Sequence, residues 1–217
     1  MPSEYRKHKD TERKNKTRNS LLEAAITVFS KKGYHKTNIS DIVDEAKVGQ
    51  GTFYRNFTDK RDVFVNLIER FIFELIDKFS DMKTNQPTNI QEYRDASFSA
   101  LNKMARHIEE NRTMTRLFLR EGAAVDRNFE RDLEEIYDQF ANIAKFHLDH
   151  AIEKGFARPC RSEIVAQSLM GVGLRMINAW ANDRLPEITM EELISEISDF
   201  AFMGFGIVQG NELLKEQ

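Results

Sequence analysis

Gln50, Thr52, Tyr54, Arg55 and Asn56 crowd into one short stretch, with Lys60 soon after. Together they supply amide and guanidinium donors suited to base edges, and hydroxyls and an ammonium suited to phosphates. Phe53 and Phe57 lie among them four residues apart, so a short helix here buries one side and leaves the polar, aromatic and basic side chains on the other. Gly51 sits just inside that helix, where a missing Cβ lets a second backbone or a DNA strand come close. Upstream, Ile39, Ile42, Val43 and Ala46 recur at i, i+3, i+4 and i+7, one face of a helix of about two turns. Thr37 or Asn38 can cap its start, and Asp41, Asp44 and Glu45 keep its other face wet. Lys47, Val48 and Gly49 hinge the two segments. The whole is the outline of a helix-turn-helix over about residues 38–57, with Thr37, Asn38, Gln50, Gly51, Thr52, Tyr54, Arg55, Asn56 and Lys60 as candidate contacts to DNA.

The elements that position this segment are helical throughout. Thr58-Asp59 offers an N-cap to a long helix expected to reach about Met82, with Val63, Phe64, Leu67, Ile68, Phe71, Leu75 and Phe79 as its apolar stripe. Further helices are expected from about Ile90 to Glu110, around Met114 to Leu119, from Phe129 to Lys154 with Gly155 as its stop, from Arg161 to Asn182 and from Thr189 to Asn211. No segment sustains the alternation of a strand, so the class is all-α. Residues 1–61 read as the DNA-binding domain and residues 62–217 as a ligand-binding and dimerisation domain.

Charge follows the same division. Residues 1–61 hold 14 Lys or Arg against 8 Asp or Glu, and residues 62–217 hold 18 against 27, so the formal net of −3 combines a head of +6 with a body of −9. A basic head gains affinity by displacing counterions from DNA, and an acidic body orients the approach. Arg6, Lys7, Lys9, Arg13, Lys14, Lys16 and Arg18 read as a mobile arm leading into the first helix, of a kind that can reach a minor groove.

At these residues the chain resembles the tetracycline-repressor-like (TetR) transcriptional regulators. Phe29 through Tyr34, Thr37, Ile39, Ile42, Ala46, Val48, Gly51, Thr52, Tyr54, Phe57 and Lys60 match that family's pattern in order. The resemblance implies a three-helix DNA-binding head, a long connecting helix and an all-helical regulatory body. It also implies phosphate contacts at Thr52, Tyr54 and Lys60, and major-groove positions at Gln50 and Arg55. Three departures stand out: Lys47 replaces a helix-ending glycine, Gly49 replaces a capping serine, and Asn56 replaces a His or Tyr. Gly49 and Asn56 stand where the family's usual phosphate contacts lie.

The last two helices are apolar around most of their circumference, and Gly171, Gly173, Gly204 and Gly206 each weaken a helix by about 1 kcal/mol relative to Ala. Close helix approach would compensate. The expectation is a homodimer formed through these helices, with Gly171, Gly173, Phe200, Gly204 and Gly206 at the interface. Such a dimer presents two recognition helices to a palindromic operator. Phe71, Phe98, Met104, Met114, Phe118, Phe140, Met170, Leu174, Arg175, Ile177 and Trp180 are candidates for lining a cavity for a hydrophobic or amphipathic effector. Arg175, a charge inside an apolar run, is expected to be buried against a partner or a ligand anion.

The longest uncharged apolar stretch, Phe200 to Val208, falls far short of the roughly 20 residues of a membrane span. The charged N-terminal stretch is unlike a signal peptide, and the single Cys160 has no internal partner, so a reducing cytoplasm is the expected location. His147 and His150 share a helix face, but no further ligands complete a metal set, and no cofactor is expected. The reading is a ligand-responsive repressor. The alternatives are an all-helical enzyme acting on a lipophilic substrate and a DNA-binding activator without ligand.

Overall fold

The computed structural model describes residues 2–78, 87–122, 125–185 and 187–205. Among them are nine helices: α1 (Pro2–Lys32), α2 (Ile39–Glu45), α3 (Gln50–Tyr54), α4 (Lys60–Asp77), α5 (Ile90–Glu110), α6 (Arg112–Glu121), α7 (Arg127–Glu153), α8 (Ser162–Ala181) and α9 (Met190–Phe205). No strand occurs among the described residues, as the sequence periodicity predicts.

Local chemistry sets the boundaries. Asp59 accepts the Asp62 N–H at 2.8 Å and the Asp62 carboxylate accepts the Thr58 N–H at 2.8 Å, satisfying two donors where α4 begins. Asn89 caps α5 through the Glu92 N–H, and Thr189 with Glu192 forms a reciprocal capping box before α9. Gly33 (φ 77°) and Gly155 (φ 74°) turn the chain out of α1 and α7 in the left-handed conformation that glycine adopts without strain. The expected extension of α4 to Met82 and of α9 to Asn211 lies outside the described residues, as does Gly206.

One expectation is overturned at the N-terminus. The first twenty residues do not form a loose arm; α1 is helical from Pro2 onward. Residues 3–18 contain no glycine or proline, so a helix anchored at Leu21 propagates outward at one hydrogen bond per residue. His8 and Glu12 pair one turn apart at 3.4 Å, and the Thr17 hydroxyl donates to the Arg13 carbonyl at 3.0 Å.

The chain divides into two compact units, Met1–Ile72 with Leu117–Glu130, and Phe73–Arg116 with Arg131–Gln217. The first unit thus reaches beyond residue 61 and takes in a segment from the middle of the sequence. Its core is Leu21, Ala25, Val28 and Phe29 of α1, Ile42 and Val43 of α2, Phe53, Phe57, and Val63, Phe64 and Ile68 of α4, all buried. The Phe64 ring lies at 5.7 Å from Phe29, 5.0 Å from Tyr34 and 5.4 Å from Phe129 in edge contacts, each worth roughly 0.5–1.5 kcal/mol beyond the area buried.

The second unit has a core of Tyr93, Leu148, Ala151 and Ala157, against which Phe156, Val165, Leu169 and Phe202 pack. Phe202 stacks on Phe98 at 5.6 Å, tying α9 to α5. Burial pushes the Tyr93 phenol up to about 12. The C-terminus of α8 is held from α6: Arg112 donates to the Trp180 carbonyl at 2.9 Å, Arg116 to the Ala181 carbonyl at 2.6 Å, and both reach Asp183. Asp183 takes a left-handed turn there (φ 55°).

Candidate nucleic-acid interface

α2 ends in a Schellman turn. The Val48 N–H bonds the Val43 carbonyl at 3.0 Å and the Lys47 N–H bonds the Asp44 carbonyl at 3.2 Å. Lys47 occupies the left-handed position (φ 54°) where the family pattern has glycine, so the lysine carries the strain expected of that replacement. Gly49 then caps α3 with extended backbone (φ −80°, ψ 154°), its carbonyl accepting the Thr52 N–H at 2.8 Å and no side chain assisting.

Phe53 is fully buried and packs on Phe57 at 5.9 Å, fixing one side of α3 to the head. The other side is open: Gln50, Gly51, Tyr54 and Arg55 are exposed, Tyr54 at 58%. A Cβ placed on Gly51 would meet nothing within 4 Å, so that face is clear for an approaching strand. Arg55 folds back on its own helix, Nε to the Gly51 carbonyl at 3.2 Å and a terminal nitrogen to the Thr52 hydroxyl at 3.0 Å. Those bonds are solvent-exposed and local, so water or a base edge can replace them at small cost. Asn38 is exposed at the start of α2. Its N–H donates to Asp41 at 2.9 Å, and Lys32 pairs with the same carboxylate at 2.6 Å, which holds Asp41 below the usual carboxylate range.

Three predicted contacts are placed differently. Thr37 is buried (1% exposed), and its hydroxyl donates to the Gly33 carbonyl at 2.8 Å, so it braces the α1–α2 turn and presents no group to DNA. Asn56 turns inward, its amide donating to the Thr52 carbonyl at 2.8 Å while its Oδ1 is buried and unpaired. Lys60 lies over the Tyr34 ring at 4.4 Å and donates to the carbonyls of Tyr34 and Thr37 at 2.7 and 2.8 Å. Burial holds its pKa below the ordinary lysine value. A lysine so engaged ties the N-terminus of α4 to the α1–α2 turn.

Other residues shape the head in ways that the sequence reading does not assign. Arg18 donates to the Asn56 carbonyl at 2.7 Å and to Asn66 Oδ1, and lies over the Phe57 ring at 4.3 Å, closing the far end of α3. Its spacing of three and four residues before Leu21 and Leu22 is the one local signal of that placement. The Glu121 carboxylate accepts the Tyr34 N–H at 3.1 Å, and a Cβ on Gly33 would lie 3.4 Å from it. Arg61 pairs with Asp126 at 2.6 Å, holding that carboxyl below its usual range. Glu121 and Asp126 are far from the head in sequence, and nothing local announces them.

The expected effector pocket fares differently. Phe71 and Phe118 belong to the first unit, where their rings lie 6.3 Å apart. Met114 is buried, Phe98, Met104, Phe140, Met170, Leu174 and Ile177 are half-buried, and Arg175 is exposed and not sequestered. A recess of about 580 Å³ in the second unit is lined by Glu109, Arg112, Trp180, Asp183, Leu185, Glu187, Ile188, Thr189 and Glu192; of the predicted lining it contains Trp180 alone. Its walls are mixed and acidic, because the α8–α9 connection contributes polar turn residues. Among the described residues no His, Cys, Asp and Glu cluster could hold a metal ion, and no helix is long and apolar enough to cross a membrane. Cys160 is half-buried against the second unit's core.

Of the predicted interface residues, Gly171, Phe200 and Gly204 are exposed within this chain and Gly173 is half-buried; other large apolar side chains are exposed nearby in sequence. Phe200 is 68% exposed, Met203 84% and Ile164 58%. Added Cβ atoms at Gly171, Gly173 and Gly204 would touch nothing within 4 Å, so the close helix approach expected of these glycines does not occur inside the chain.

Residues 21–67 match the model of the bacterial regulatory proteins of the tetR family, the stretch that carries α2, the turn and α3. The HTH-type transcriptional regulator YfiR of Bacillus subtilis is 29% identical over 152 residues, covering 68% of this chain and 71% of that protein. The HTH-type transcriptional regulator YvdT of Bacillus subtilis is 41% identical over 58 residues, 27% of this chain and 30% of that protein. Among solved structures, the fatty acid degradation regulator FadR of Bacillus halodurans has a TM-score of 0.75 at 19% identity, over 87% of this chain and 95% of that one. SmeT in complex with triclosan also has a TM-score of 0.75, at 20% identity over 89% and 93% of the two chains.

Proposed function

This chain is a transcriptional regulator of the tetR family, and we propose that it is a homodimeric repressor that reads a palindromic operator with α3 and is released by a hydrophobic or amphipathic small molecule. What carries this reading is the division of α3 into a buried face, Phe53, and an open face of Gln50, Tyr54 and Arg55. Packing accounts for the first face and leaves the second exposed, its contacts local ones within α3. Gln and Arg reach paired acceptor and donor groups on purine edges in the major groove, and the Tyr54 hydroxyl and Thr52 are suited to phosphates.

One α3 of five residues spans only a few base pairs, so operator recognition calls for two heads on one duplex. The exposed Ile164, Phe200 and Met203, and the open glycine positions on α8 and α9, favour pairing of these helices with those of a second copy. α4 and α7 are each continuous from one compact unit into the other, which suits them to carry a ligand-induced shift to the head. Such a shift can weaken operator binding only by the ligand's differential affinity for the two states. The effector class is suggested by relatives named for fatty acid degradation and for a triclosan complex, and by the half-buried Phe and Met side chains of the body.

The test is fluorescence anisotropy with the duplex upstream of the protein's own gene, alone and with a long-chain fatty acid or triclosan, at two salt concentrations. Sequence-specific binding by two copies per duplex, weakened at least fivefold by one effector, is expected. Binding indifferent to sequence at both salts would remove the operator reading, and specific binding insensitive to every lipophilic compound would remove the effector.

A further inference from the structure

We propose that the outward half of α1 is a second DNA-contacting surface, a basic helix whose Lys9, Arg13 and Lys16 bind the phosphate backbone beside the base pairs that α3 reads. This rests on the DNA-binding reading of α3 and adds to it a surface outside the matched residues 21–67. α1 begins at Pro2, yet the first buried residue among its described side chains is Leu21, and every described side chain from His8 to Lys16 is exposed. At 1.5 Å per residue, the stretch from Pro2 to Ser20 extends about 28 Å beyond the buried part of the same helix, close to one turn of duplex. A helix of this length without packing is marginal in water, so a partner is what would make it persist.

Composition selects that partner. Residues 3–20 contain no Ala, Val, Leu, Ile, Met or Phe, so they offer no apolar face to a protein groove or a lipid interface. Residues 2–18 carry seven Lys or Arg against three Asp or Glu. Lys9, Arg13 and Lys16 fall at i, i+4 and i+7, a stripe along one side of the helix. The root of the extension is fixed where a DNA contact needs it: Arg18 bonds the Asn56 carbonyl and lies over Phe57, the residues that closely follow α3. The stripe therefore starts beside the recognition helix, and phosphates of the same duplex are the complementary surface.

The full-length protein is titrated onto a mixed-sequence 40-base-pair duplex at four salt concentrations, as the wild type, as Lys9→Gln/Arg13→Gln/Lys16→Gln, and as Lys154→Gln, a charge control on the body. Gln keeps helix propensity, and none of the three stripe side chains supports the core, so all forms should share one thermal midpoint. Each neutralised phosphate contributes about 0.9 to the slope of log affinity against log salt. The triple variant is expected to lose about 2–3 from that slope and at least tenfold in affinity at the lowest salt, with the control unchanged. A variant lacking residues 2–16 should reproduce the loss. If the wild type binds with a steep slope and the triple variant and the deletion match it within 0.5, the extension does not touch DNA while the α3 reading stands. If the wild type fails to bind duplex at the lowest salt, both fall.

Discussion

The two compact units differ in where their unexplained side chains lie. In the first, several polar groups support the fold. Thr37 braces a turn, Lys60 holds carbonyls, Arg18 closes the end of α3, and Glu121 and Asp126 clasp the head from far along the chain. What remains idle is the polar face of α3 and the basic outward half of α1. In the second, polar groups cap helices, and the exposed large apolar side chains are Phe73, Phe146, Ile164, Phe200 and Met203. The first pattern suits a polar partner with defined hydrogen-bonding edges, and the second suits a copy of itself.

The heaviest loss is expected in the head core. Phe64→Ala removes a fully buried ring that meets Phe29, Tyr34 and Phe129, and should cost about 3–5 kcal/mol, read as a fall in thermal midpoint together with loss of duplex binding. A shift under about 1 kcal/mol would mean that the head is not organised around that ring, since truncating a buried aromatic costs more than this. Next is the body's open face: Phe200→Asp/Met203→Asp should leave the monomer folded by circular dichroism while raising the dimer dissociation constant at least a hundredfold in sedimentation equilibrium. An unchanged mass distribution would detach these residues from the interface and leave the second unit's idle apolar face without its proposed partner.

Lys60→Met follows, since it takes the ammonium donor from the Tyr34 and Thr37 carbonyls and should cost about 1–3 kcal/mol of stability in urea unfolding. If Lys60 acts mainly at phosphates, the same variant will keep its stability and lose only the salt slope. A small gain closes the series: Lys47→Gly relieves the left-handed φ and should add about 1 kcal/mol, shown by a higher urea midpoint at unchanged m. A loss would indicate that the lysine stem makes a contact worth more than the strain.

The head is legible in the sequence because its signals are local. Ile42 and Val43 at helical spacing, Phe53 with Phe57, Lys47 at a helix end and the Thr58-Asp59 cap all declare their role within a turn or two. Periodicity places α5, α7 and α8 within a few residues for the same reason. What stays hidden depends on distance in sequence: Glu121 beneath Gly33, Asp126 on Arg61, and Arg116 on the end of α8 are pairings that no periodicity encodes. Lys60 and Asn56 are ambiguous in sequence because their chemistry fits both a phosphate and a backbone carbonyl, and the fold brings the carbonyl nearer. Arg175 misleads because an apolar neighbourhood in sequence does not by itself bury a helix face, and the arginine is exposed.

Whether the open face of α3 selects sequence is decided by measuring binding of the wild type and of Arg55→Ala to every single base-pair substitution of the upstream duplex at fixed salt. Arg55→Ala should lose discrimination of about 1–3 kcal/mol at one position in each half-site, symmetric about a dyad, while the other positions keep their preferences. A uniform weakening across all substitutions, or a profile identical to the wild type, would contradict sequence reading by this face.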